Sequence, residues 1–183
     1  MGTMPRKSLI RRSFNRICHG LARSLPGATN LRPFLHRLRG VKISGKVFIG
    51  EEVYIENEYP ENVEIHDGAQ ISLRTTIITH FRGRGKIVIG KNACIGMCCS
   101  IAASPDRVVT IGEGAVVGLN SSVISDIPAY TFAYGSPAKP KYATQIPITL
   151  KTSYTKWKSG LKPIGNNYRP ENQAFGSLPP EGA

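Results

Sequence analysis

An aliphatic residue returns every six positions through the middle of this 183-residue chain. The repeated positions are Ile89, Ile95, Ile101, Ile111, Val117 and Val123, with a short insertion before the fourth. A period of six fits neither an amphipathic helix nor an alternating strand, so it requires a backbone that turns a corner once per repeat. Three such faces close a triangular coil of about 18 residues, and stacked coils form a parallel β-helix. The pattern therefore predicts a mainly β fold with the aliphatic side chains inside.

Two further positions of each six-residue repeat hold small residues. A glycine follows the aliphatic residue directly, and another small residue stands four positions after it. The glycines are Gly90, Gly96, Gly112 and Gly118, and the other small residues are Ala93, Cys99, Ala115 and Ser121. Glycine is favourable at a tight corner because it lacks a Cβ atom, and a small side chain suits a narrow interior. The repeat is thus consistent at three positions.

The same frame extends upstream and includes insertions. Its aliphatic positions there are Ile43, Ile49, Ile55, Ile65, Ile71 and Ile77. Four extra residues follow Ile55, and four more follow Ile101. Extra residues at a corner become a loop and leave the stack of coils intact.

A longer interval separates Ile77 from Ile89. It measures twelve residues, so the six-residue register continues through it. No aliphatic residue stands at Gly83 in the middle of the interval, which indicates a corner opened into an excursion. With about 18 residues to a coil, we expect Ile77 to stack on Ile95 and then on Val117, in roughly four to five coils.

Basic residues dominate the start of the chain. The first 42 residues contain no acidic side chain, and their ten basic residues account for ten of the twelve net positive charges. The repeat region is therefore close to neutral, which argues against a general nucleic-acid interface.

An amphipathic helix is predicted within this basic segment. Ile10, Phe14, Ile17 and Leu21 recur at the spacing that places them on one helical face. The helix is expected to end near Pro26-Gly27, and a second short helix is indicated by Leu31, Phe34, Leu35 and Leu38. Such a segment either caps the open first coil of the β-helix or makes peripheral contact with an anionic membrane surface through residues 1–40.

Three regions are therefore expected along the chain. Residues 1–40 form the basic helical segment, residues 41–140 the β-helix, and residues 141–183 a C-terminal extension. In that extension, Tyr154, Trp157 and Leu161 indicate a helical face that ends at Gly160 or Pro163. Residues 166–183 hold few apolar side chains and are expected to be loosely ordered.

Hydropathy and cysteine usage predict a cytoplasmic location. No stretch is long and apolar enough to span a bilayer, and the basic segment lacks the apolar run of a signal peptide. The four cysteines, Cys18, Cys94, Cys98 and Cys99, make a poor disulfide framework and match no usual zinc-binding spacing. We interpret the last three as core or corner residues of the repeat in a reducing compartment.

The candidate catalytic residue is His80, in the stretch Ile77-Ile78-Thr79-His80 just before the excursion. An imidazole at the edge of a loop can take a proton from a hydroxyl group near neutral pH. The competing interpretation is a turn histidine without a chemical role.

Three blocks of the chain carry a resemblance to a known family. The first is Ile77-Ile78-Thr79-His80 followed by Lys86-Ile87-Val88-Ile89-Gly90, and the second is Ile89-Gly90-Lys91-Asn92-Ala93-Cys94-Ile95-Gly96. The third is Ala115-Val116-Val117-Gly118, which continues through Ser125-Asp126-Ile127-Pro128 to Tyr134-Gly135-Ser136-Pro137-Ala138-Lys139. Their order and spacing resemble the hexapeptide-repeat acyltransferases, in particular the maltose, galactoside and polysaccharide O-acetyltransferase branch. The resemblance covers residues 43–139.

The resemblance implies a left-handed parallel β-helix, a homotrimer, and active sites between neighbouring subunits, where acetyl-CoA is the cosubstrate. His80 matches the family's catalytic histidine, which acts as general base on an acceptor hydroxyl of a sugar or glycan precursor. Gly96 and Met97, and likewise Gly118 and Leu119, match positions beside the pantetheine arm. The positions that match the segment near adenine and the 3′-phosphate are Ser136, Pro137, Ala138 and Lys139, with Lys141 as a further phosphate partner.

Departures from the family's pattern concern the acceptor and pantetheine sites. Cys94 stands where many members have tryptophan, and Met97 where many have a small residue. The excursion at residues 81–86 is shorter than the loop of the maltose and galactoside enzymes. Its Arg82 and Arg84 either contact an acidic ligand or belong to a polar loop, and we favour the loop.

Other functions remain compatible with the repeat. One is an aminosugar or antibiotic acetyltransferase. Another is a non-catalytic β-helix or a metal-binding one that resembles the γ-class carbonic anhydrases, whose zinc is held by three histidines. Only His66 and His80 lie within the repeat, and His66-Asp67-Gly68 is typical of a turn, so one ligand is missing and no metal site is predicted.

Overall fold

A computed structural model describes residues 7–80 and 83–165 of the chain. Two helices come first, α1 (Leu9–Ser24) and α2 (Leu31–Leu38). Twelve short strands follow: β1 (Lys42–Ile43), β2 (Phe48–Ile49), β3 (Tyr54–Ile55), β4 (Val63–Ile65), β5 (Gln70–Ile71), β6 (Thr76–Ile78), β7 (Lys86–Ile89), β8 (Cys94–Ile95), β9 (Ser100–Ala102), β10 (Val108–Ile111), β11 (Val116–Val117) and β12 (Ser122–Val123). The last elements are β13 (Thr131–Gly135), β14 (Ala138–Thr144), α3 (Tyr154–Ser159) and β15 (Leu161–Pro163).

Every third strand of the repeat joins the same sheet. Sheet A contains β1, β4, β7 and β10, and sheet C contains β3, β6, β9 and β12. Sheet B contains β2, β5, β8 and β11 and continues through β13, β14 and β15. The repeat strands pair in parallel, whereas β13, β14 and β15 are antiparallel neighbours. The predicted mainly β fold, a parallel β-helix of about four turns, is confirmed.

The aliphatic residues of the repeat form the core. Ile43, in the first coil, is partly buried, and the other eleven are fully buried: Ile49, Ile55, Ile65, Ile71, Ile77, Ile89, Ile95, Ile101, Ile111, Val117 and Val123. The small residues four positions later, such as Ala93, Cys99 and Ala115, are buried as well. Burial of an aliphatic side chain contributes about 1.5–3 kcal/mol relative to exposure, so these stacked ladders supply most of the hydrophobic stabilisation.

The predicted stacking of Ile77 on Ile95 is wrong, because each coil is longer than three bare repeats. Ile77 pairs instead with Ile55 in the coil before it and with Ile101 in the coil after it. Ile95 does pair with Val117, as expected. All the insertions fall at one corner, between sheets C and A, so each coil contains three faces and one loop. The excursion before Ile89 is therefore the loop of its coil, and that coil still has all three faces.

The glycine after each aliphatic residue is required by the next coil. A Cβ atom on Gly90 would lie 2.8 Å from the backbone nitrogen of Glu113 in the coil above. The tight corner itself comes two residues after the glycine, where Asn92, Cys98 and Asn120 have positive φ angles. The sequence prediction thus placed the corner two residues too early. Glycine is nevertheless required for the predicted reason, which is that it lacks a Cβ atom.

Helices α1 and α2 cover the first coil, and their buried faces include the polar side chains Asn15, His19, Arg32 and His36. Helix α2 contacts β1 and β2, and α1 contacts β3. The buried Arg39 donates to the backbone carbonyls of Ile55 and Glu56, and the buried Arg32 donates to that of Ile49. These guanidinium groups satisfy carbonyls at the open end of the stack, which would otherwise lack partners.

Two buried histidines, His19 and His36, lie on the faces of α1 and α2 that cover the first coil. Burial and the nearby Arg39 lower the pKa of His19 to about 3, and the same two causes lower the pKa of His36 well below its usual range. Both imidazoles are therefore neutral at neutral pH, and Arg39 donates from Nε to Nδ1 of His36 at 3.1 Å. The predicted apolar stripe of α1 lies on the opposite side, exposed at Ile10 and Ile17.

The C-terminal extension folds back over sheet B. Trp157 of α3 is buried and meets the ring of Phe132 edge to face, with ring centroids 5.2 Å apart. Helix α3 ends at Ser159, and its C-cap is Gly160, one of the two predicted ends. Strands β14 and β15 extend sheet B as antiparallel strands beyond the parallel coils. Residues 166–183, expected to be loosely ordered, lie outside the described residues.

None of the described helices is long and apolar enough to cross a membrane. The longest, α1, has 16 residues, and its basic side chains interrupt every apolar run. A spanning helix needs about 20 predominantly apolar residues.

Two glycine-to-alanine substitutions should have opposite effects on stability. Gly90→Ala should lower the free energy of unfolding by about 1–3 kcal/mol, because the new Cβ atom overlaps the backbone of the next coil. Gly20→Ala is the control, since nothing lies within 4 Å of a Cβ at this position in α1. It should raise stability by up to about 1 kcal/mol through helix propensity. Urea unfolding measures both, and a Gly90→Ala protein that unfolds like the wild type would contradict the close approach of the coils.

Candidate active site

His80 lies just after β6, at the corner between sheets C and A. Its ring is partly exposed, with 40% of the side-chain surface accessible. The Nδ1 atom is 2.6 Å from Oε2 of Glu56, a residue that is completely buried. Glu56 follows β3 at the same corner of the coil below, so the stacking of two coils brings the pair together.

The Glu56 carboxylate is the centre of a hydrogen-bond network. Oε2 also accepts from the backbone nitrogen and the hydroxyl group of Thr79, at 2.9 and 3.0 Å. Oε1 accepts from the backbone nitrogens of Glu58 and Tyr59, at 2.8 and 3.2 Å. Burial acts to raise the pKa of Glu56, but the hydrogen bonds from His80, Thr79 and Tyr59 outweigh it and lower the pKa. The group is thus a carboxylate at neutral pH.

This network determines which ring nitrogen of His80 carries the hydrogen. An ionised carboxylate only accepts hydrogen bonds, so Nδ1 of His80 carries the hydrogen and donates it to Glu56. We assign the tautomer from the network on this basis. In the neutral ring the lone pair is then on Nε2, the nitrogen that does not contact Glu56. That arrangement suits a general base.

Glu56 was not singled out from the sequence. The signal was available, because Glu56 comes directly after Ile55 and His80 follows Ile77, and these two isoleucines are partners in successive coils. The sequence analysis assumed a coil of about 18 residues, which is too short to include the loop. With that length, Ile55 and Ile77 were not recognised as partners.

Aromatic and basic side chains adjoin the pair. The ring of Tyr59 is 6.2 Å from that of His80. The guanidinium group of Arg84 lies over the Tyr59 ring, 3.7 Å from its centroid, and Lys7 lies 5.7 Å from it. Arg84 is thus packed on the protein, whereas its predicted companion Arg82 lies outside the described residues.

A long open groove of about 1160 Å³ runs along sheet B. The four residues predicted beside a pantetheine arm all line it, namely Gly96, Met97, Gly118 and Leu119. They belong to the same corner of two successive coils, since the backbone nitrogen of Gly96 donates to the carbonyl of Val117. Aromatic residues close the far end of the groove, among them Tyr134, Tyr154 and Trp157.

The predicted phosphate segment forms the hairpin turn between β13 and β14. Ser136 and Pro137 are exposed at the turn, Ala138 is buried, and Lys139 and Lys141 are exposed on β14. The turn is joined to the fourth coil, because the backbone nitrogen of Gly135 donates to Oγ of Ser121 at 3.1 Å. Hence the hairpin continues the corner that carries Gly96 and Gly118.

His80 and the groove lie at different corners of the triangular prism. His80 follows a strand of sheet C and precedes sheet A, whereas Gly96 and Gly118 follow strands of sheet B. His80 does not line the groove, as far as the described residues show. One chain therefore brings the four groove residues together but does not bring His80 to them.

The remaining candidate ligands are scattered. Within residues 7–80 and 83–165, no group of three or more His, Cys, Asp or Glu side chains could hold a metal ion. His66 is partly exposed at its corner, with Nε2 3.1 Å from Glu64. Burial raises the pKa of Cys94 to about 11, so its thiol stays protonated at neutral pH. Cys99 is buried, and Cys98 occupies a corner.

Comparisons with known proteins identify the family. No family model matches the sequence. The protein of Staphylococcus aureus (strain COL) named "Putative acetyltransferase SACOL2570" is 31% identical over 157 residues, which cover 67% of this chain and 75% of the relative. The chain belongs to the hexapeptide-repeat acetyltransferases. The acetyltransferase is also 43% identical over 68 residues to dTDP-3-amino-3,6-dideoxy-alpha-D-galactopyranose 3-N-acetyltransferase of Aneurinibacillus thermoaerophilus, a match that covers 37% of this chain and 33% of the relative.

Solved structures show the same fold. The hexapeptide-repeat acetyltransferase VCA0836 from Vibrio cholerae superposes with a TM-score of 0.53 at 22% identity, covering 73% of this chain and 90% of that one. A maltose O-acetyltransferase from Clostridium difficile 630 superposes with a TM-score of 0.50 at 19% identity, covering 72% and 85%. The fold of the acetyltransferase is therefore the left-handed parallel β-helix that the resemblance implied.

The network around Glu56 predicts a stability difference that depends on pH. Glu56→Gln should lower the free energy of unfolding at pH 7 by roughly 2 kcal/mol, because it removes the charge that accepts these hydrogen bonds. The pKa of Glu56 is lowered in the folded state, so its stabilisation is present above the ordinary value of 4.5 and is lost as the pH falls through the lowered value. The difference between wild type and variant, measured by urea unfolding, should therefore shrink below about pH 4.5.

Glu64→Gln is the matched control for this series. Glu64 forms a partly exposed ion pair with Lys86, at 2.6 Å, and such pairs contribute about 0–1 kcal/mol. A Glu56→Gln variant that is no less stable than Glu64→Gln at pH 7 would show that the buried carboxylate is not ionised.

Proposed function

We propose that the acetyltransferase transfers the acetyl group of acetyl-CoA to a hydroxyl group of a sugar or glycan precursor, with His80 as the general base. The observation that carries this proposal is the hydrogen bond between His80 and the buried carboxylate of Glu56. It leaves Nε2 as a proton acceptor at an accessible corner of the β-helix. The family match supports acetyl transfer, and a solved neighbour of the same fold is a maltose O-acetyltransferase.

In the proposed reaction, Nε2 of His80 takes the proton of the acceptor hydroxyl. The hydroxyl oxygen then forms a bond to the thioester carbonyl carbon, and a tetrahedral intermediate results. When the intermediate collapses, the carbon–sulfur bond breaks and the proton on Nε2 passes to the leaving thiolate. Glu56 acts as a positioning residue, because its carboxylate holds the ring and stabilises the positive charge on the imidazolium.

The groove along sheet B supplies the proposed site for acetyl-CoA. Gly96, Met97, Gly118 and Leu119 would lie beside the pantetheine arm, since they line a continuous groove at one corner. The hairpin at residues 136–139 would face the adenine and the 3′-phosphate. Lys139 and Lys141 would pair with phosphate groups, which is consistent with their exposure on β14.

A complete site would then require a second copy of the chain, and we propose a homotrimer. His80 and the groove lie at different corners of one β-helix. Three copies packed side by side would place His80 of one subunit opposite the groove of the next. Each of the three clefts would contain one histidine and one cosubstrate.

The proposed cellular setting is polysaccharide biosynthesis in the cytoplasm, where acetyl-CoA is available. In this scheme the region 41–140 provides His80, Glu56 and the four residues beside the pantetheine arm. In the region 1–40, α1 and α2 cover the first coil, and in the region 141–183, Tyr154 and Trp157 line the end of the groove. This division of the chain into three regions is part of the proposal.

An aminosugar N-acetyltransferase is the second candidate. The observation in its favour is the relative of Aneurinibacillus thermoaerophilus, whose name gives the 3-amino group of a nucleotide-linked sugar as its acceptor. His80 could deprotonate an ammonium or amine acceptor in the same position. Assays with matched sugar pairs that differ only in a hydroxyl or amino group separate the two functions.

Replacement of His80 should abolish turnover without abolishing cosubstrate binding. His80→Ala is expected to lower kcat by about 10²–10⁴-fold, since it removes the general base. Thiol release from acetyl-CoA with a panel of sugars measures turnover, and calorimetry measures acetyl-CoA binding. His66→Ala, the other histidine of the repeat, is the matched control and should turn over like the wild type. Turnover by His80→Ala within threefold of the wild type would rule out this residue as the base.

Complementation between two inactive variants tests the shared site. Leu119→Glu should block the groove, because Leu119 is an exposed groove residue. Coexpression of His80→Ala with Leu119→Glu should restore activity in mixed trimers, where an intact His80 meets an intact groove. The control is coexpression of two differently tagged copies of the His80→Ala variant, which should remain inactive. If mixed assemblies form and stay inactive, the two residues do not serve one shared site.

A further inference from the structure

Helix α1 leaves its apolar stripe exposed, and α2 exposes all of its predicted stripe except the buried Leu35. Side chains that sequence patterning would place in a core are on the surface here: Leu9, Ile10, Phe14, Ile17, Leu21, Leu31, Phe34 and Leu38. Ile10 is 85% exposed and Ile17 is 62% exposed. The face of α1 that packs on the β-helix contains Asn15, Cys18, His19 and Ala22 instead. An apolar surface of this extent on paired helices indicates a binding surface.

The polar contacts of α1 explain its orientation. Arg12 pairs with Glu58 at 3.2 Å, and Arg23 pairs with Glu52 at 2.5 Å. Asn15 donates to the carbonyl of Asn57. These partners all belong to the β-helix, so they turn the polar face of α1 inward and the apolar stripe outward.

The charged side chains of α1 and α2 themselves are all basic, and the carboxylates that pair with some of them belong to the β-helix. No acidic residue occurs in the first 50 positions of the chain. Arg11, Arg16, Arg37 and Lys42 are exposed on or next to the two helices. The guanidinium group of Arg11 lies over the ring of Phe14, 5.5 Å from its centroid, so charge and apolar surface adjoin directly. The surface therefore complements a partner that is both apolar and anionic.

We propose that α1 and α2 dock the acetyltransferase on an anionic lipid bilayer. The apolar stripes enter the boundary between head groups and acyl chains, and the arginines meet anionic head groups. A second copy of the chain would offer a matching apolar surface but carries the same positive charge at this place. The membrane is the occupant that satisfies both properties.

Docking would place the His80 corner near the bilayer. The loop that contains Glu56 is the one that the start of the chain contacts, through Lys7 to Glu61 at 2.6 Å and Arg12 to Glu58. Glu56 holds His80. An acceptor presented by the membrane, a glycan attached to a lipid, would thus be close to the proposed base. This last step depends on the proposed function, whereas docking itself does not.

Flotation of the full chain with vesicles tests the proposal. The probe is phosphatidylcholine vesicles with about one third phosphatidylglycerol, at low and high salt, beside vesicles of phosphatidylcholine alone. The wild type should float with the anionic vesicles at low salt and release at high salt, because salt screens the head-group attraction. It should remain unbound with phosphatidylcholine alone.

Substitutions within the stripe provide the specific test. Ile10→Glu and Ile17→Glu should each lower the bound fraction at least tenfold, and their exposure predicts unfolding midpoints like that of the wild type. Leu150→Glu is the matched control, since this residue is 66% exposed on the C-terminal extension, and it should float normally. His80→Ala should also float like the wild type, because vesicle binding does not depend on the proposed catalytic activity.

Two results would overturn the proposal. The first is a wild type that does not float, or that floats equally with and without anionic lipid. The second is an Ile17→Glu variant that floats like the wild type. If the wild type does not float and Ile17→Glu lowers the mass measured by light scattering, the stripe is an interface between copies of the chain.

Discussion

The stack of backbone hydrogen bonds from coil to coil determines where everything else in this protein lies. Each coil donates to the carbonyls of a neighbouring coil, as Gly90 does to Ile111, and this spacing leaves no room for a Cβ at the glycine positions. The ladders tolerate extra residues only at corners, and this chain places all of its insertions at one corner. The loops of successive coils therefore meet there, and Glu56 comes to lie beside His80.

A buried carboxylate is costly unless its hydrogen bonds are complete. Glu56 meets that condition through two backbone nitrogens of its own loop and through Thr79 and His80 of the next coil. The same bonds that make its burial tolerable also orient the imidazole and fix its tautomer. Local stability and the proposed catalysis thus share one set of contacts. A substitution of Glu56 would therefore lower both the stability of the fold and the activity.

Sequence reasoning succeeded where one side-chain pattern decides the outcome. The six-residue period predicted the β-helix, its buried aliphatics and the position of His80 at a corner. It failed where distances along the chain depend on loops, because the excursion before Ile89 looks like a face with a missing aliphatic residue. It also could not tell which face of α1 is buried. The apolar stripe indicates burial, but Glu52 and Glu58 on the β-helix hold the polar face instead.

The central claim is that His80 of one subunit and the groove of its neighbour form one active site. A crystal structure of the assembly with bound CoA tests this most directly. We expect the pantetheine arm to lie along Gly96 and Gly118, with the CoA sulfur within reach of Nε2 of His80 from the adjacent chain. A monomer, or a CoA molecule whose sulfur is remote from every His80, would contradict the claim.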